Sequence, residues 1–594
     1  MLKSVVFGLI HRYALDLPDP DRFRSHPIIM TTQPVMPTSS TRWWCYLSLA
    51  LMALLLLFGQ FDHDLWSPDE PREAGIAWEM LRQHDYIVPT LAGQYFIEKP
   101  PLFYWSSTGL AHLLGNTMSS VSILRLLCAL YGAGTLLCLW AATKRLYDRQ
   151  TAWLSTLSLA TMSGFLEHMH VIRVDVSLAF FCAMSLWTLI EFHYADRRIF
   201  GVLSAIALAG AFMTKGIVGL VVMIPLWGAL FLYQAVRLGK TQWGRLIIDN
   251  AALVLIATAL CASWCWQLLQ HQDGEWLWNE WFWRNQIGRL NGTAGLGHDE
   301  ATTKLDYLPQ LASLTLAWVP FIIGWLVQCA VRIKQLDARD LLLLIGGLAS
   351  FAILSVASTK RALYLLPILP FFAMMAGRFL TEHHTHRAVR GYAQLALWVS
   401  VAFQILIMAS PWLIDMIHSR FATPELKALV RENTVGYIAA IGLAVIAIIT
   451  SRLRLPAPFK IFVSVVCIFI TYTLFMNPIL AHRKSTEQAN VSLYQALPES
   501  QRTNTLGIDL TEVEQGALSF YNDWRVRNTD EVGLKTRMQE GEPFGVLIHG
   551  QHTFEALAPV LGPFIQMQHV GYDQREQSNE TRLIWVWVVP QDKR

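Results

Sequence analysis

The 594-residue chain is poor in charge: Asp, Glu, Lys and Arg make up only 15% of it, while 53% is hydrophobic. Ordinary soluble domains carry about 25% charged residues. If about 13 segments of about 20 apolar residues each cross a bilayer, the 47 basic and 44 acidic residues return to normal soluble density in the rest of the chain. The composition therefore predicts a polytopic membrane protein and argues against a soluble globular one.

The chain also has little net charge and no cysteine outside its apolar runs. The net charge is only +3 and no long basic stripe is present, which argues against a nucleic-acid partner. All eight cysteines lie inside apolar runs, a distribution typical of small core residues and not of a disulfide framework or a cysteine metal site. No cleavable signal peptide is evident before Trp43, and Met30 is the start that we expect for the natural chain.

What the sequence does contain is a series of apolar runs. The fold class that it predicts is an α-helical membrane protein with a small C-terminal α/β domain, because residues 477–594 mix period-two runs (506–510, 544–548, 583–589) with a helical stretch at 512–524. The predicted spans are 44–61, 121–143, 151–171, 174–194, 199–213, 216–236, 247–269, 308–331, 341–357, 362–380, 391–411, 435–451 and 459–476.

The basic residues of the short loops predict the orientation of these spans. If residues 102–117 lie along the membrane and do not cross it, every basic cluster falls on the side of the N-terminal tail, as the positive-inside rule requires. We therefore expect a cytoplasmic tail (1–42), a transmembrane domain (43–476) with outer loops at 62–120 and 270–307, and an outer α/β domain (477–594). The clusters are Lys144, Arg145 and Arg149; Arg197 and Arg198; Arg237, Lys240 and Arg245; Arg332, Lys334 and Arg339; Arg387 and Arg390; and Arg452, Arg454 and Lys460.

The first outer loop holds two motifs that are rich in ionisable residues. Residues 66–73 read Trp-Ser-Pro-Asp-Glu-Pro-Arg-Glu and place Asp69 just above the outer boundary of the first span. Taken alone, Ser67 or Asp69 would most simply cap a surface helix. The second motif sets the acid–base pair Glu98-Lys99 between aromatic residues and before two prolines, which suits either a structural role or a charged lipid headgroup.

Three further outer segments carry ionisable residues at the same depth. Asp175 follows Arg173, Arg289 follows Arg284 in an aromatic segment, and a third segment holds Lys360, Arg361 and Tyr364. Ionisable groups beside apolar spans are costly and usually pair or serve a site. Because basic residues are normally depleted from the outer face, the aggregate predicts a pocket for an anionic lipid carrier.

These motifs, together with the 13-span layout and the outer C-terminal domain, resemble the GT-C glycosyltransferases of the protein O-mannosyltransferase superfamily, and among them the bacterial lipid A aminoarabinose transferases. The resemblance covers the chain from about Trp43 to Met476. It implies an integral inner-membrane enzyme with a periplasmic C-terminus that moves a sugar from a polyprenyl-phosphate carrier to an envelope acceptor, which is a lipid A-like lipid, another glycan or a protein. It implies no nucleotide cofactor.

The same resemblance implies roles for individual residues. Asp69 would be the catalytic or acceptor-facing carboxylate, with Glu98 a metal-site carboxylate if a divalent metal is bound and Asp175 a supporting acid. The carrier phosphate would contact Lys99, Arg289 and Tyr364. Lys360 joins these phosphate-binding candidates on a different ground, because it is a basic residue on the outer face. Where the lipid A enzyme has a histidine before the arginine that matches Arg289, this chain has Asn285-Gln286. His298 lies downstream in the same loop, where a solvated loop histidine is the favoured interpretation.

The chemistry expected of such a site is a single displacement with inversion at the anomeric carbon. Preorganised cations would stabilise the leaving phosphate, and Asp69 would act as general base for an acceptor hydroxyl. Two alternatives stay open. A transporter or flippase for lipid-linked sugars would use interrupted helices, for which the Lys215-Gly216 pair is a hint. A tight outer turn between two spans explains that pair equally well and is the interpretation that we prefer. A membrane-anchored sensor would leave the first-loop motifs without a role.

Overall fold

The computed structural model of the protein describes residues 42–293, 305–357, 360–416, 423–571 and 583–590. The predicted N-terminal tail up to residue 41, Met30 and His298 lie outside these residues. Within them the chain forms a bundle of apolar helices, with a smaller sheet domain at its C-terminal end.

The apolar helices match the thirteen predicted spans one by one. Ten are long and apolar enough to cross a membrane, two are shorter apolar helices, and one predicted span is a helix in two pieces. Their bounds are Arg42–Leu57, Ser120–Leu146, Arg149–Ala160 with Ser163–Met169, Val174–Tyr194, Ile199–Lys215, Ile217–Leu238, Lys240–Leu269, Tyr307–Val331, Ala338–Val356, Ala362–His383, Arg387–Met416, Thr434–Arg452 and Ala457–Lys484. The last helix continues past the predicted end of its span at residue 476.

The apolar segment at residues 102–117, which we predict to lie along the membrane, forms a helix at Leu102–Leu114. We call it the interfacial helix. At about 1.5 Å per residue its 13 residues reach about 20 Å, less than the roughly 30 Å of a bilayer core. Both its ends contact the first outer loop: the Tyr104 hydroxyl donates to Glu73 (2.7 Å), and His112 Nε2 lies 3.4 Å from the Tyr86 hydroxyl. A helix anchored at both ends to one loop stays on one side of the bundle.

The two ends of the bundle carry different ionic clusters. The end opposite the first outer loop holds pairs such as Arg145–Glu191 (3.0 Å), Arg245–Asp196 (2.8 Å) and Arg378–Glu382 (2.8 Å). Arg145 and Arg245, which belong to the clusters used in the positive-inside argument, therefore lie at one end, as predicted, and the candidate site residues lie at the other. Which end faces the cytoplasm stays a prediction.

The first outer loop contains one long helix and a small hairpin. The loop helix, as we name it, spans Glu70–Gln83, and the hairpin pairs β1 (Thr90–Leu91) with β2 (Gln94–Tyr95). The second long outer loop contains Gly274–Trp278, a π-helix at Asn279–Gly288, and Arg289–Asn291. A further outer helix, Pro424–Glu432, precedes the twelfth span.

The C-terminal domain is a four-stranded mixed sheet with helices. Its strands are β3 (Thr505–Ile508), β4 (Phe544–His549), β5 (Ile565–Gly571) and β6 (Leu583–Val588), in the order β3-β4-β6-β5. Only β3 and β4 run parallel. The predicted strands and the helix after β3 are present, whereas the edge strand β5 was not predicted. Its helices are Glu487–Ala496, Glu499–Arg502, Glu512–Asn522, Glu531–Gln539 and Gln551–Leu561.

Candidate functional site

The site begins at the N-terminus of the loop helix. Asp69 occupies the cap position, but its side chain makes no cap hydrogen bond, so the capping role considered for it is wrong. Pro71 suits the first turn, where its missing N–H costs nothing. The helix therefore starts without the Asp69 carboxylate, which is left to other partners.

Those partners are three arginines from three different segments. Asp69 Oδ2 lies 2.8 Å from Arg173 and 3.6 Å from Arg361, and Oδ1 lies 3.3 Å from Arg72. Arg173 is held in turn by His168 Nδ1 at 3.0 Å. A buried carboxylate needs such compensation, because desolvation without a partner would favour its neutral form.

Glu73, one turn further along the loop helix, joins the first motif to the second. Its carboxylate accepts from Lys99 Nζ (2.8 Å), Tyr104 OH (2.7 Å) and Arg72 (2.9 Å). Burial alone would raise the pKa of Glu73, but the charges of Lys99 and Arg72 and the hydrogen bonds outweigh it and lower the pKa to about 2. Glu73 is therefore a fixed anion that holds Lys99 in place.

Glu98 and Arg289 form the next pair. The Arg289 guanidinium donates to Glu98 Oε1 at 2.7 Å, and Lys99 Nζ lies 3.8 Å from Glu98 Oε2. Burial opposes ionisation of Glu98, yet Lys99 and Arg289 together hold its pKa below the ordinary value. The two prolines that follow Lys99 lead directly into the interfacial helix, so the backbone is restricted on the C-terminal side of Glu98 and Lys99.

Asp175 pairs with a lysine that we did not assign to the site. Lys215 Nζ donates to Asp175 Oδ1, and the same ammonium lies 4.2 Å from the centre of the Tyr364 ring. Gly216 follows with φ +66°, a conformation that favours glycine, and the next helix begins at Ile217. The preferred interpretation of Lys215-Gly216 as a tight turn is therefore confirmed, and the turn also delivers a cation.

Most of the predicted site residues come together in one continuous network. Asp69, Glu98, Lys99 and Arg289 are linked through Arg72 and Glu73. Asp175 and Tyr364 are linked through Lys215, and Asp175 also lies within the electrostatic reach of Lys99. Lys360 donates to the Ala357 carbonyl at 2.7 Å and precedes Arg361, whose guanidinium reaches Asp69.

A buried ion pair between Glu70 and Arg125 lies next to this network. Glu70 accepts from both terminal nitrogens of Arg125 (3.1 and 2.9 Å) and from the backbone N–H groups of Trp66 and Ile172. Arg125 is fully buried. Because it stands alone in the second apolar span, the cost of such a charge could have pointed to it from the sequence.

The described residues do not fit a metal centre. Among them no group of three or more His, Cys, Asp or Glu side chains is placed to hold a metal ion, and the Glu98 carboxylate already faces two cations. At the position of the missing histidine, Gln286 Oε1 accepts from the Ile217 N–H (3.2 Å) and Asn285 donates to the Glu280 carbonyl (3.0 Å). These two amides stabilise the turn and the π-helix.

Comparisons with known proteins agree with the motifs. Residues 98–266 match the family model described as dolichyl-phosphate-mannose-protein mannosyltransferase. Undecaprenyl phosphate-alpha-4-amino-4-deoxy-L-arabinose arabinosyl transferase 2 of Pseudomonas fluorescens is 26% identical over 62% of this chain and 63% of its own length. The corresponding transferase of Pectobacterium carotovorum is 28% identical over 68% of this chain and 71% of its own length. The chain thus spans about two thirds of the relatives that it matches.

The fold is found among solved structures. The crystal structure of ArnT from Cupriavidus metallidurans bound to undecaprenyl phosphate superposes with a TM-score of 0.69 at 18% identity, over 92% of this chain and 98% of that one. The apo structure of the same protein gives 0.67. The predicted fold class, membrane helices with a small C-terminal sheet domain, is therefore confirmed. The sequence comparisons confirm the resemblance stated from the motifs.

Proposed function

We propose that this chain, whose sequence and fold resemble those of bacterial aminoarabinose transferases, is a membrane glycosyltransferase that uses a polyprenyl-phosphate-linked sugar as donor. The proposal rests on the network of carboxylates and cations at one end of the bundle. Five separate outer segments supply its cations. Arg72 and Lys99 come from the first outer loop, and one cation comes from each of four other segments: Arg173, Lys215, Arg289 and Arg361. A phosphate at the membrane surface is the ligand that such a set suits best.

In this proposal the cations hold the leaving group. As the bond between the anomeric carbon and the phosphate oxygen breaks, negative charge grows on the polyprenyl phosphate. Lys99 and Arg289 are preorganised by Glu73 and Glu98, so they stabilise that charge without reorganising. Lys360, on the link between the ninth and tenth spans, and Tyr364, near the start of the tenth span, are the further ligands that we assign to the carrier phosphate.

The acceptor decides how much the reaction needs Asp69. An acceptor hydroxyl must lose its proton, and Asp69 is the carboxylate that we assign as general base, with Asp175 and its partner Lys215 supporting the pocket. An acceptor phosphate is already ionised and needs mainly positioning. We infer a single displacement that inverts the anomeric centre. A covalent sugar adduct on Asp69 would contradict it.

The relatives guide the choice of substrates. By their names they transfer 4-amino-4-deoxy-L-arabinose from undecaprenyl phosphate, and we propose the same donor here, with a lipid A-like lipid as the first acceptor to test. We place the protein in the bacterial inner membrane, with the site and C-terminal domain on the periplasmic face. No metal step enters this mechanism.

The transporter alternative gains no support from Lys215. Transporters place such groups near the bilayer midplane at interrupted helices. Lys215 instead ends a helix at the same end of the bundle as Asp69 and pairs with Asp175 there.

The test is transfer by the purified protein in proteoliposomes, with the undecaprenyl-phosphate-linked aminosugar as donor and lipid A as acceptor, followed by mass spectrometry. We expect transfer by the wild type and a loss of about 100-fold in kcat for Asp69→Asn, the range of general-base contributions. The control is Asp415→Asn, which changes an exposed carboxylate paired with Arg431 outside the network. Undiminished transfer by Asp69→Asn would contradict the role of Asp69, and no transfer by the wild type would contradict the function.

A further inference from the structure

One helix of the C-terminal domain contacts the network of charged residues in the candidate site. This helix, Glu512–Asn522, which we call the docking helix, packs along the loop helix. The contacts advance in step along both helices, so the two run in the same direction. In order, the contacts are Arg72–Glu512, Gly75–Gly516, Glu79–Ser519 and Arg82–Asp523.

The middle of this contact is backbone against backbone. A Cβ placed on Gly516 would lie 2.3 Å from the Pro71 carbonyl oxygen, and one on Gly75 would lie 2.6 Å from Gly516 Cα. Beside it, Ser519 Oγ donates to the buried Glu79 carboxylate at 2.6 Å. The two helices therefore pack so closely at this point that no side chain fits between their backbones.

The first contact lies inside the site. Arg72 donates from one terminal nitrogen to Glu512 (2.9 Å) and from the other to Glu73 (2.9 Å) and Asp69 (3.3 Å). Its side chain is only 16% exposed. One guanidinium thus divides its donors between a carboxylate of the C-terminal domain and two carboxylates of the reacting network.

Glu512 is itself held by local structure. It is the first residue of the docking helix, directly after Thr511, which forms a capping box with Glu514. Glu514 also accepts from His549 at the end of β4, so the sheet supports the start of the helix. The place of Glu512 is therefore determined by the fold of the C-terminal domain and not by the membrane bundle.

We propose that Glu512 is a positioning residue for the transfer reaction, and that the C-terminal domain completes the active centre through the Arg72–Glu512 pair. This inference rests on the proposed function. Glu512 holds Arg72 between the two helices, which limits how far the guanidinium closes on Asp69. Without Glu512, Arg72 pairs more tightly with Asp69 and Glu73, and its guanidinium covers the Asp69 oxygen that would otherwise face the acceptor.

The test compares two carboxylates of the same interface, Glu512→Gln and Asp523→Asn, in the full-length protein. Asp523 meets Arg82 at the far end of the docking helix, 3.5 Å away and exposed, without contact to the network. We expect Glu512→Gln to lower kcat about tenfold while KM for the carrier-linked donor stays within twofold, and Asp523→Asn to change neither. Wild-type kcat in Glu512→Gln, or an equal loss in both variants, would overturn the proposal.

A second measurement does not depend on turnover. Cryo-electron microscopy of Glu512→Gln in nanodiscs should show the Arg72 guanidinium displaced toward Asp69, with the docking helix still in place. An unmoved Arg72 would overturn the positioning role even if no donor were found. The failure of the proposed function, which is no transfer by the wild type, is thereby separated from the failure of this inference.

Discussion

Three arginines share the Asp69 carboxylate, and they are not equally bound. The side chains of Arg72 and Arg173 are 16% and 14% exposed, whereas that of Arg361 is 35% exposed and makes the longest contact, 3.6 Å. The cation that is weakest on Asp69 is thus the one that an incoming phosphate draws away most easily. Arg361 also sits next to Lys360, which the sequence predicts as a phosphate ligand.

Replacing Arg361 should therefore act mainly on the donor. A charge-assisted hydrogen bond contributes about 1.5–3 kcal/mol, so we expect Arg361→Gln to raise KM for the carrier-linked sugar by roughly 10- to 100-fold. Steady-state transfer kinetics measure this. Arg284→Gln is the matched control, since Arg284 is exposed in an outer loop and, among the residues that the structure describes, its ion-pair partner is Glu280. An unchanged KM in Arg361→Gln would show that Arg361 does not bind the donor.

Glu73 predicts how stability depends on pH. Its pKa is lowered in the folded protein from 4.5 to about 2, so its ionised form contributes stability above pH 4.5, and this contribution is lost as the pH falls toward 2. The difference in thermal unfolding between the wild type and Glu73→Gln should be largest near neutral pH and narrow below about pH 4.5. Glu531→Gln, at an exposed helix pair, should show no such trend. A difference that grows on acidification would contradict the assignment.

At the scale of elements, apolar periodicity and loop charge predicted the number and order of the spans. The interruption between Ala160 and Ser163 escaped prediction, because the hydrophobic run continues across it. The edge strand β5 was missed as well, since polar Gln566, Gln568 and His569 dilute its apolar pattern. Pairings such as Lys215 with Asp175 could not be predicted, because they depend on how helices far apart in sequence pack.

The predicted orientation of the spans depends on whether the interfacial helix crosses the membrane, and cysteine labelling tests this. Three variants in a cysteine-free background each carry one exposed thiol. The thiol lies before the helix in Gln94→Cys, after the helix in Thr117→Cys, and in a predicted inner loop in Ala388→Cys. In intact cells, with the outer membrane made permeable, an impermeant maleimide should label the first two, and the third only after the inner membrane is opened. Labelling of residues 94 and 117 from opposite sides would mean that the helix crosses the membrane.

At the scale of the whole molecule, the sequence motifs selected most residues of the candidate site but not Glu512, which the fold brings to Arg72. Asp69, Glu98 and Lys99 could be selected because ionisable groups next to apolar spans are costly. Nothing comparable marks Glu512, which is one acidic residue among many in a polar domain. Its relation to Arg72 exists only because two glycines, distant in sequence, let the loop helix and the docking helix touch.

The contact between Gly75 and Gly516 predicts that Gly516→Ala destabilises the protein, whereas helix propensity alone would predict stabilisation. In a helix, Gly→Ala normally adds about 1 kcal/mol of stability. At Gly516 the added Cβ would meet the Pro71 carbonyl oxygen at 2.3 Å, and backbone cannot move aside as a flexible side chain can. We therefore expect overpacking in Gly516→Ala to lower the free energy of unfolding by about 1–3 kcal/mol, and with it the thermal midpoint. Transfer activity should also fall, because Glu512 is pushed away from Arg72. Gly562→Ala, in the same domain with helical dihedrals and open space around its Cβ, should leave transfer activity unchanged and should not lower the midpoint. A more stable Gly516→Ala would mean that the helices are not in contact, and that the C-terminal domain acts apart from the site.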